Sequence, residues 1–191
     1  MLDEKRMNRV LEKLDTDQML ITDPCAIFYL TGRWIFAGER FLGLLIKKGQ
    51  KPILYLNELF RFDEDLGVTK KMITDTDSVA ELLKCDVDPN KALGVDKTLA
   101  ARFLLPMIDG AIASKFINGS LAVDHTRAIK DEEEIALLRE SSRINDLAMA
   151  EFKKLPKAGM TEIEIANQML DIYKKLGAEA YSFSPIVAFG V

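Results

Sequence analysis

Residues 18–32 read Gln18-Met19-Leu20-Ile21-Thr22-Asp23-Pro24-Cys25-Ala26-Ile27-Phe28-Tyr29-Leu30-Thr31-Gly32, and the change of pattern inside this stretch sets the fold class. Gln18 to Thr22 is a short run of strand length with an apolar centre. Asp23-Pro24 then supplies an N-cap acceptor and a residue whose fixed φ suits the first helical position. The small helix this starts, Cys25 to Leu30, stops at Gly32, a natural C′ residue. A strand feeding directly into a helix is the unit of a layered α/β domain.

The same alternation extends outward. Upstream, Met7, Val10, Leu11 and Leu14 recur at helical spacing, with Lys5, Arg9 and Glu12 on the other side. Downstream, Arg33 to Glu39 is a loop, and Phe41 to Ile46 and Pro52 to Leu56 form a hairpin around Lys48-Gly49-Gln50-Lys51. Met72 to Thr74 is a short strand. Asp77 or Ser78 caps a helix through Leu83. Ala92 to Val95 is a strand, Asp96 caps a helix through Leu105, and Lys115 to Ile117 is a further strand. Residues 1–125 therefore predict an α/β domain with a mixed sheet and flanking helices.

The pattern changes between residues 120 and 130. Asp131 to Leu155 reads as one long helix with an apolar face of Ile135, Leu138, Ile144, Leu147, Ala148 and Phe152, opened by Asp131 and Glu134 as a capping box. Thr161 and Glu164 form a second box, opening a helix that runs to Leu176 and stops at Gly177. Residues 126–191 thus predict the beginning of an α+β unit. The apolar run Pro185 to Phe189 reads as a strand ending at Gly190-Val191 and buried on both faces, with its pairing partners further along a longer chain.

The 191 residues carry a net charge of −4, with no clustered basic excess of the kind nucleic-acid binding requires. No apolar run reaches the length of a membrane span. The N-terminus lacks the apolar segment of a signal peptide, and the two cysteines, Cys25 and Cys85, lack metal-type spacing. These features predict a cytoplasmic protein with free, mostly buried thiols. The single histidine, His125, allows no assignable Ser-His-Asp or Cys-His set. Asp131 to Glu134 is read as a solvated helix start, because consecutive carboxylates point in different directions around a helix. No glycine-rich phosphate loop is present. The loop Arg33 to Arg40, with the only tryptophan, Phe36 and two arginines, is the candidate for a substrate or subunit contact.

Three blocks then carry a resemblance. Arg127-Ala128-Ile129-Lys130-Asp131-Glu132-Glu133-Glu134-Ile135, Gly159-Met160-Thr161-Glu162-Ile163-Glu164-Ile165, and Gly177 through Gly190 (Gly-Ala-Glu-Ala-Tyr-Ser-Phe-Ser-Pro-Ile-Val-Ala-Phe-Gly) stand in order. They resemble the opening of the catalytic domain in the creatinase/aminopeptidase P/prolidase family of "pita-bread" metallopeptidases. Tyr29-Leu30-Thr31-Gly32 and Glu39-Arg40-Phe41 resemble its N-terminal domain. The resemblance is nearest to a bacterial Xaa-Pro dipeptidase.

It implies a creatinase-like N-terminal domain followed by the first helices and strand of an incomplete pita-bread domain. It also implies a homodimer acting on a proline-containing dipeptide. The family uses two divalent metal ions (manganese, cobalt or zinc), held by two Asp, one His and two Glu that follow the last strand motif. No metal site or catalytic residue is therefore expected in this chain. The resemblance assigns Arg40 to the substrate carboxylate across the dimer, Glu39 to orienting it, and Tyr181 and Phe183 to the substrate cleft. A non-catalytic scaffold on the same fold and a creatinase-type amidinohydrolase fragment are the alternative readings.

Overall fold

The computed structural model describes residues 1–190 and divides into two compact units, Met1–Ile129 and Lys130–Val191. In the first unit five helices flank a six-stranded sheet. The helices are α1 (Glu4–Glu12), α2 (Pro24–Thr31), α3 (Val79–Lys84), α4 (Ala101–Asp109) and α5 (Ser120–Ala128). The strands are β1 (Gln18–Ile21), β2 (Leu42–Lys47), β3 (Ile53–Asn57), β4 (Thr69–Ile73), β5 (Ala92–Val95) and β6 (Lys115–Asn118), in the order β4-β3-β2-β1-β5-β6. Only β2 runs against the rest: it is antiparallel to β1 and β3, whereas β1–β5, β5–β6 and β3–β4 are parallel. The predicted hairpin is β2–β3, with Leu42 opposite Leu56 and Leu45 opposite Ile53.

Alternation along the strands builds two cores. Met19, Ile21, Leu44, Ile46, Leu54 and Leu56 join α1, α2 and α5 on one face. Leu20, Leu45 and Tyr55 join α3 and α4 on the other. Period-two side-chain direction is what lets one strand serve both layers. The opening stretch folds as its composition dictates: Asp23 accepts from the Cys25 N–H, Pro24 opens α2, and Gly32 ends it at φ 71°.

Asp96 departs from the expected role. It caps no helix. α4 begins later, after Ala100, which makes no side-chain cap. α5 was not foreseen, because Gly119 and a mixed sequence hide its start; Ala122 and Val123 pack it onto the first core.

In the second unit, α6 (Glu132–Phe152) and α7 (Glu162–Lys175) each begin with the expected capping box. Their seam is narrower than the apolar pattern suggested. Ala148, Phe152 and Ile165 are buried, but Leu138 and Leu147 remain 52% and 43% exposed. The Phe152 ring meets Tyr173 edge-on at 5.2 Å, and the Tyr173 hydroxyl donates to Asn145.

Pro185 to Phe189 is no strand among the described residues, and Ile186 is 92% exposed. A strand needs a ladder partner, and here the Phe189 N–H donates instead to the Glu162 carboxylate. Val191, the last residue of that expected strand, lies outside the described residues. Both thiols are exposed rather than buried, since Cys25 and Cys85 sit at the solvent ends of short elements.

Candidate functional site

The parallel strands set the location of the site. Their carboxyl ends, and the entry to the reversed strand β2, lie along one edge of the sheet. The neighbours β1 and β5 send their following helices, α2 and α4, to opposite faces. Such a reversal opens a crevice at the strand ends, the usual ligand position in an open α/β sheet. Thr22, Asn57, Asp75 and Asp96 each follow or end a strand here.

Asp96 is the pin of this edge. It is 7% exposed. Its carboxylate accepts from the backbone N–H groups of Thr22 (2.6 Å) and Asp23 (2.8 Å), and from the hydroxyls of Thr22 (2.6 Å) and Thr98 (2.8 Å). The end of β1, the start of α2 and the end of β5 are thereby tied at one point.

Arg40 is presented by a turn in which its N–H donates to Ala37 O, with Gly38 at φ 60°. That conformation favours glycine. The guanidinium Nε and Nη2 donate to the two carboxylate oxygens of Asp75 at 2.9 and 3.1 Å. Buried Asn57 donates to Asp75 Oδ1 at 2.7 Å, and its own carbonyl caps the short 3-10 helix Glu58–Phe60 through the Leu59 N–H. Arg40 is thus oriented by Asp75, while Glu39 beside it is exposed and adds only longer-range attraction.

The hydrogen bond from Arg40 holds the Asp75 carboxyl below the ordinary aspartate range, and the same bond raises Arg40. Because the folded Asp75 value is depressed, the pair's contribution is complete above the ordinary value of 3.8 and is lost only as pH falls through the lowered one. The Asp75 carboxyl carbon is expected to titrate by NMR with a midpoint below 3.8; a midpoint at or above it would dissolve the clamp. Both side chains are partly solvated, so the stabilisation itself is small.

The other residues of the loop divide. Arg33 pairs with Glu64 at 2.7 Å and lies over Phe62. Trp34 meets Phe28 edge-on at 6.0 Å, and both remain about half exposed, with Phe36 more so. In the second unit the Tyr181 hydroxyl donates to Ala166 O at 3.0 Å, its ring stands edge-on to Tyr173, and burial raises its pKa. Phe183 is 76% exposed. His125 is exposed on α5. Among the described residues no group of three or more His, Cys, Asp or Glu is placed to hold a metal ion.

Asp75 and Asn57 escaped the sequence reading, and Asp96 entered it only as a helix cap. The one local signal was an acid within two residues of the end of a short strand, at Asp75 and Asp96.

The family described as the creatinase/prolidase N-terminal domain matches residues 5–129, and metallopeptidase family M24 matches residues 136–191. An uncharacterized peptidase of Staphylococcus aureus (strain USA300) is 26% identical over 97% of this chain and 54% of its own length. A dipeptidase from Pyrococcus horikoshii OT3 superimposes with a TM-score of 0.78 at 23% identity, over 96% of this chain and 52% of that one. An Xaa-Pro dipeptidase from Bacillus anthracis gives 0.75 at 24%, over 94% and 51%. At these identities the two structures establish the fold. The chain spans about half the length of the curated relatives it matches.

Proposed function

The chain belongs to the creatinase/prolidase N-terminal domain family, and on that premise we propose that it is the N-terminal part of a cytoplasmic, dinuclear-metal Xaa-Pro dipeptidase that hydrolyses the peptide bond before proline. The observation that carries this reading is the succession in one chain of that domain over residues 5–129 and an M24 stretch over residues 136–191. The M24 family implies divalent metal. The described residues of this chain do not fit a metal pair, since they offer no cluster of ligands. The ions and the hydrolytic step therefore belong to other parts of the protein, with manganese, cobalt or zinc as the candidates. A bound metal pair supplies an activated water and a clamp on the tetrahedral intermediate.

This chain's share is recognition. Arg40, held by Asp75, keeps N–H donors on its outer edge for a substrate carboxylate, and planar two-point binding suits a guanidinium. Tyr181 and Phe183 contribute apolar surface beside the substrate. The exposed Phe28, Trp34 and Phe36 form a homodimer contact, aromatic anchors being typical of such surfaces.

The test compares two preparations on an Xaa-Pro dipeptide with manganese: the protein as its native cells make it, captured through this chain, and the 191-residue chain alone. The native form is expected to weigh well above 21.5 kDa per chain, to sediment as a dimer and to turn over substrate until chelator is added. The 191-residue chain is expected to show no turnover. Chelator-sensitive hydrolysis by the short chain, or none by the native form, would overturn the reading.

A further inference from the structure

Two clefts share Glu39, Arg40, Phe41, Arg102 and Phe103 in their walls. The larger, about 310 Å3, also holds Asp75 and Asp77, so its carboxylates outnumber its guanidiniums. Asp75 is spent on Arg40, and Asp77 accepts from the N–H and hydroxyl of Thr74. The smaller cleft, about 210 Å3, has a different composition. Two guanidiniums, Arg40 and Arg102, face it with one carboxylate, Glu39. Apolar wall comes from Phe36, Phe41, Leu99 and Phe103.

Three features of this cleft select a ligand. First, Arg102 lies against the Phe103 ring at 4.8 Å but has no salt bridge among the described residues. Arg40 has used two of its five N–H donors on Asp75. The uncompensated positive charge calls for a carboxylate. Second, Glu39 is exposed and likewise has no salt bridge among the described residues, so a cation can meet it. The Thr22 and Thr98 hydroxyls at the rim both donate to Asp96, leaving only lone pairs for a ligand. They too call for an N–H donor. Third, the volume lies below the range of roughly 300–1,000 Å3 typical of drug-sized ligands, and the wall is aromatic and aliphatic.

A carboxylate, an ammonium and a compact apolar body in one small molecule describe a free α-amino acid. We propose that the smaller cleft binds the zwitterion of an amino acid with a compact apolar side chain, its carboxylate between Arg40 and Arg102 and its ammonium toward Glu39. This rests on the reading of Arg40 as a carboxylate-binding residue and adds Arg102 and Glu39 to it. The site lies wholly within the first unit, so it requires neither metal nor the second unit.

Calorimetric titration of the full 191-residue chain with L-proline tests it. Binding is expected for L-proline. L-prolinamide, lacking the carboxylate, and N-acetyl-L-proline, lacking the ammonium, are each expected to bind about tenfold more weakly or worse, as is L-proline to an Arg102→Gln chain. Glu39→Gln should weaken L-proline but leave N-acetyl-L-proline unchanged. Arg102 and Glu39 are exposed, so neither substitution disturbs the core. Inorganic phosphate binding as tightly as L-proline would reduce the cleft to a patch of positive charge and overturn the proposal. If Arg102→Gln or Glu39→Gln binds L-proline like the unaltered chain while Arg40→Gln does not, the amino-acid site falls and the substrate role of Arg40 stands.

Discussion

Replacing Asp96 by alanine is expected to lower the stability of the first unit by about 3 kcal/mol. The substitution removes the acceptor of three backbone N–H groups, at Thr22, Asp23 and Thr98, in a position only 7% exposed. Donors left buried without partners cost more than the average hydrogen bond contributes. Asp96→Asn should lose less, because its carbonyl still accepts while its amide faces a donor. Urea unfolding followed through Trp34, the single tryptophan, reports on this unit alone. An Asp96→Ala chain within 1 kcal/mol of the original would mean that water replaces the carboxylate and that the pin is dispensable.

The second large effect is expected at Phe41. Its ring is 5% exposed, stands edge-on to Phe103 at 5.1 Å, and packs with Leu20, Leu45 and Tyr55. It also lies over Gly43 so closely that a Cβ there would fall 2.7 Å from the ring. The bare backbone of β2 is therefore part of the seat of the ring. Phe41→Ala should cost about 3–5 kcal/mol through lost burial and the cavity left behind. Because the same ring walls both clefts, L-proline binding should vanish even at temperatures where the variant stays folded. Phe41→Leu should keep most of the stability. A loss under about 1.5 kcal/mol for the alanine variant would show that the neighbours collapse into the space, and the ring would no longer count as the floor of the site.

The elements legible in the sequence are those whose signals are local. Asp23-Pro24 with Gly32, the β2–β3 hairpin, and the two capping boxes at Asp131 and Thr161 each depend on residues within one turn of one another. The misses are long-range. Asp96 looked like a cap because an acid after a strand often is one, but besides the nearby Thr98 its partners, Thr22 and Asp23, lie over 70 positions away. The Arg40–Asp75 pair spans 35 positions and needs the order of the strands to bring its members together. Arg102 carried no signal at all until α4 was placed beside the entry to β2. The exposed face of α6 failed for the opposite reason: periodicity reports an apolar stripe but not what covers it.

The parallel pairing of β1 with β5 bears on how the chain is made. Met19 sits opposite Gly94, which leaves the ribosome 75 positions later. At roughly 5–20 residues per second, that is an interval on the order of 4–15 s. During it, β1 can pair with β2 on one side only, and its other edge presents the unpaired N–H and C=O groups of an apolar strand. Neighbouring nascent chains on one message carry the same open edge, so the β5 segment of a leading chain is a competitor for the β1 of the chain behind it. The late arrival of β5 and Asp96 thus closes a window for strand exchange as well as completing the sheet.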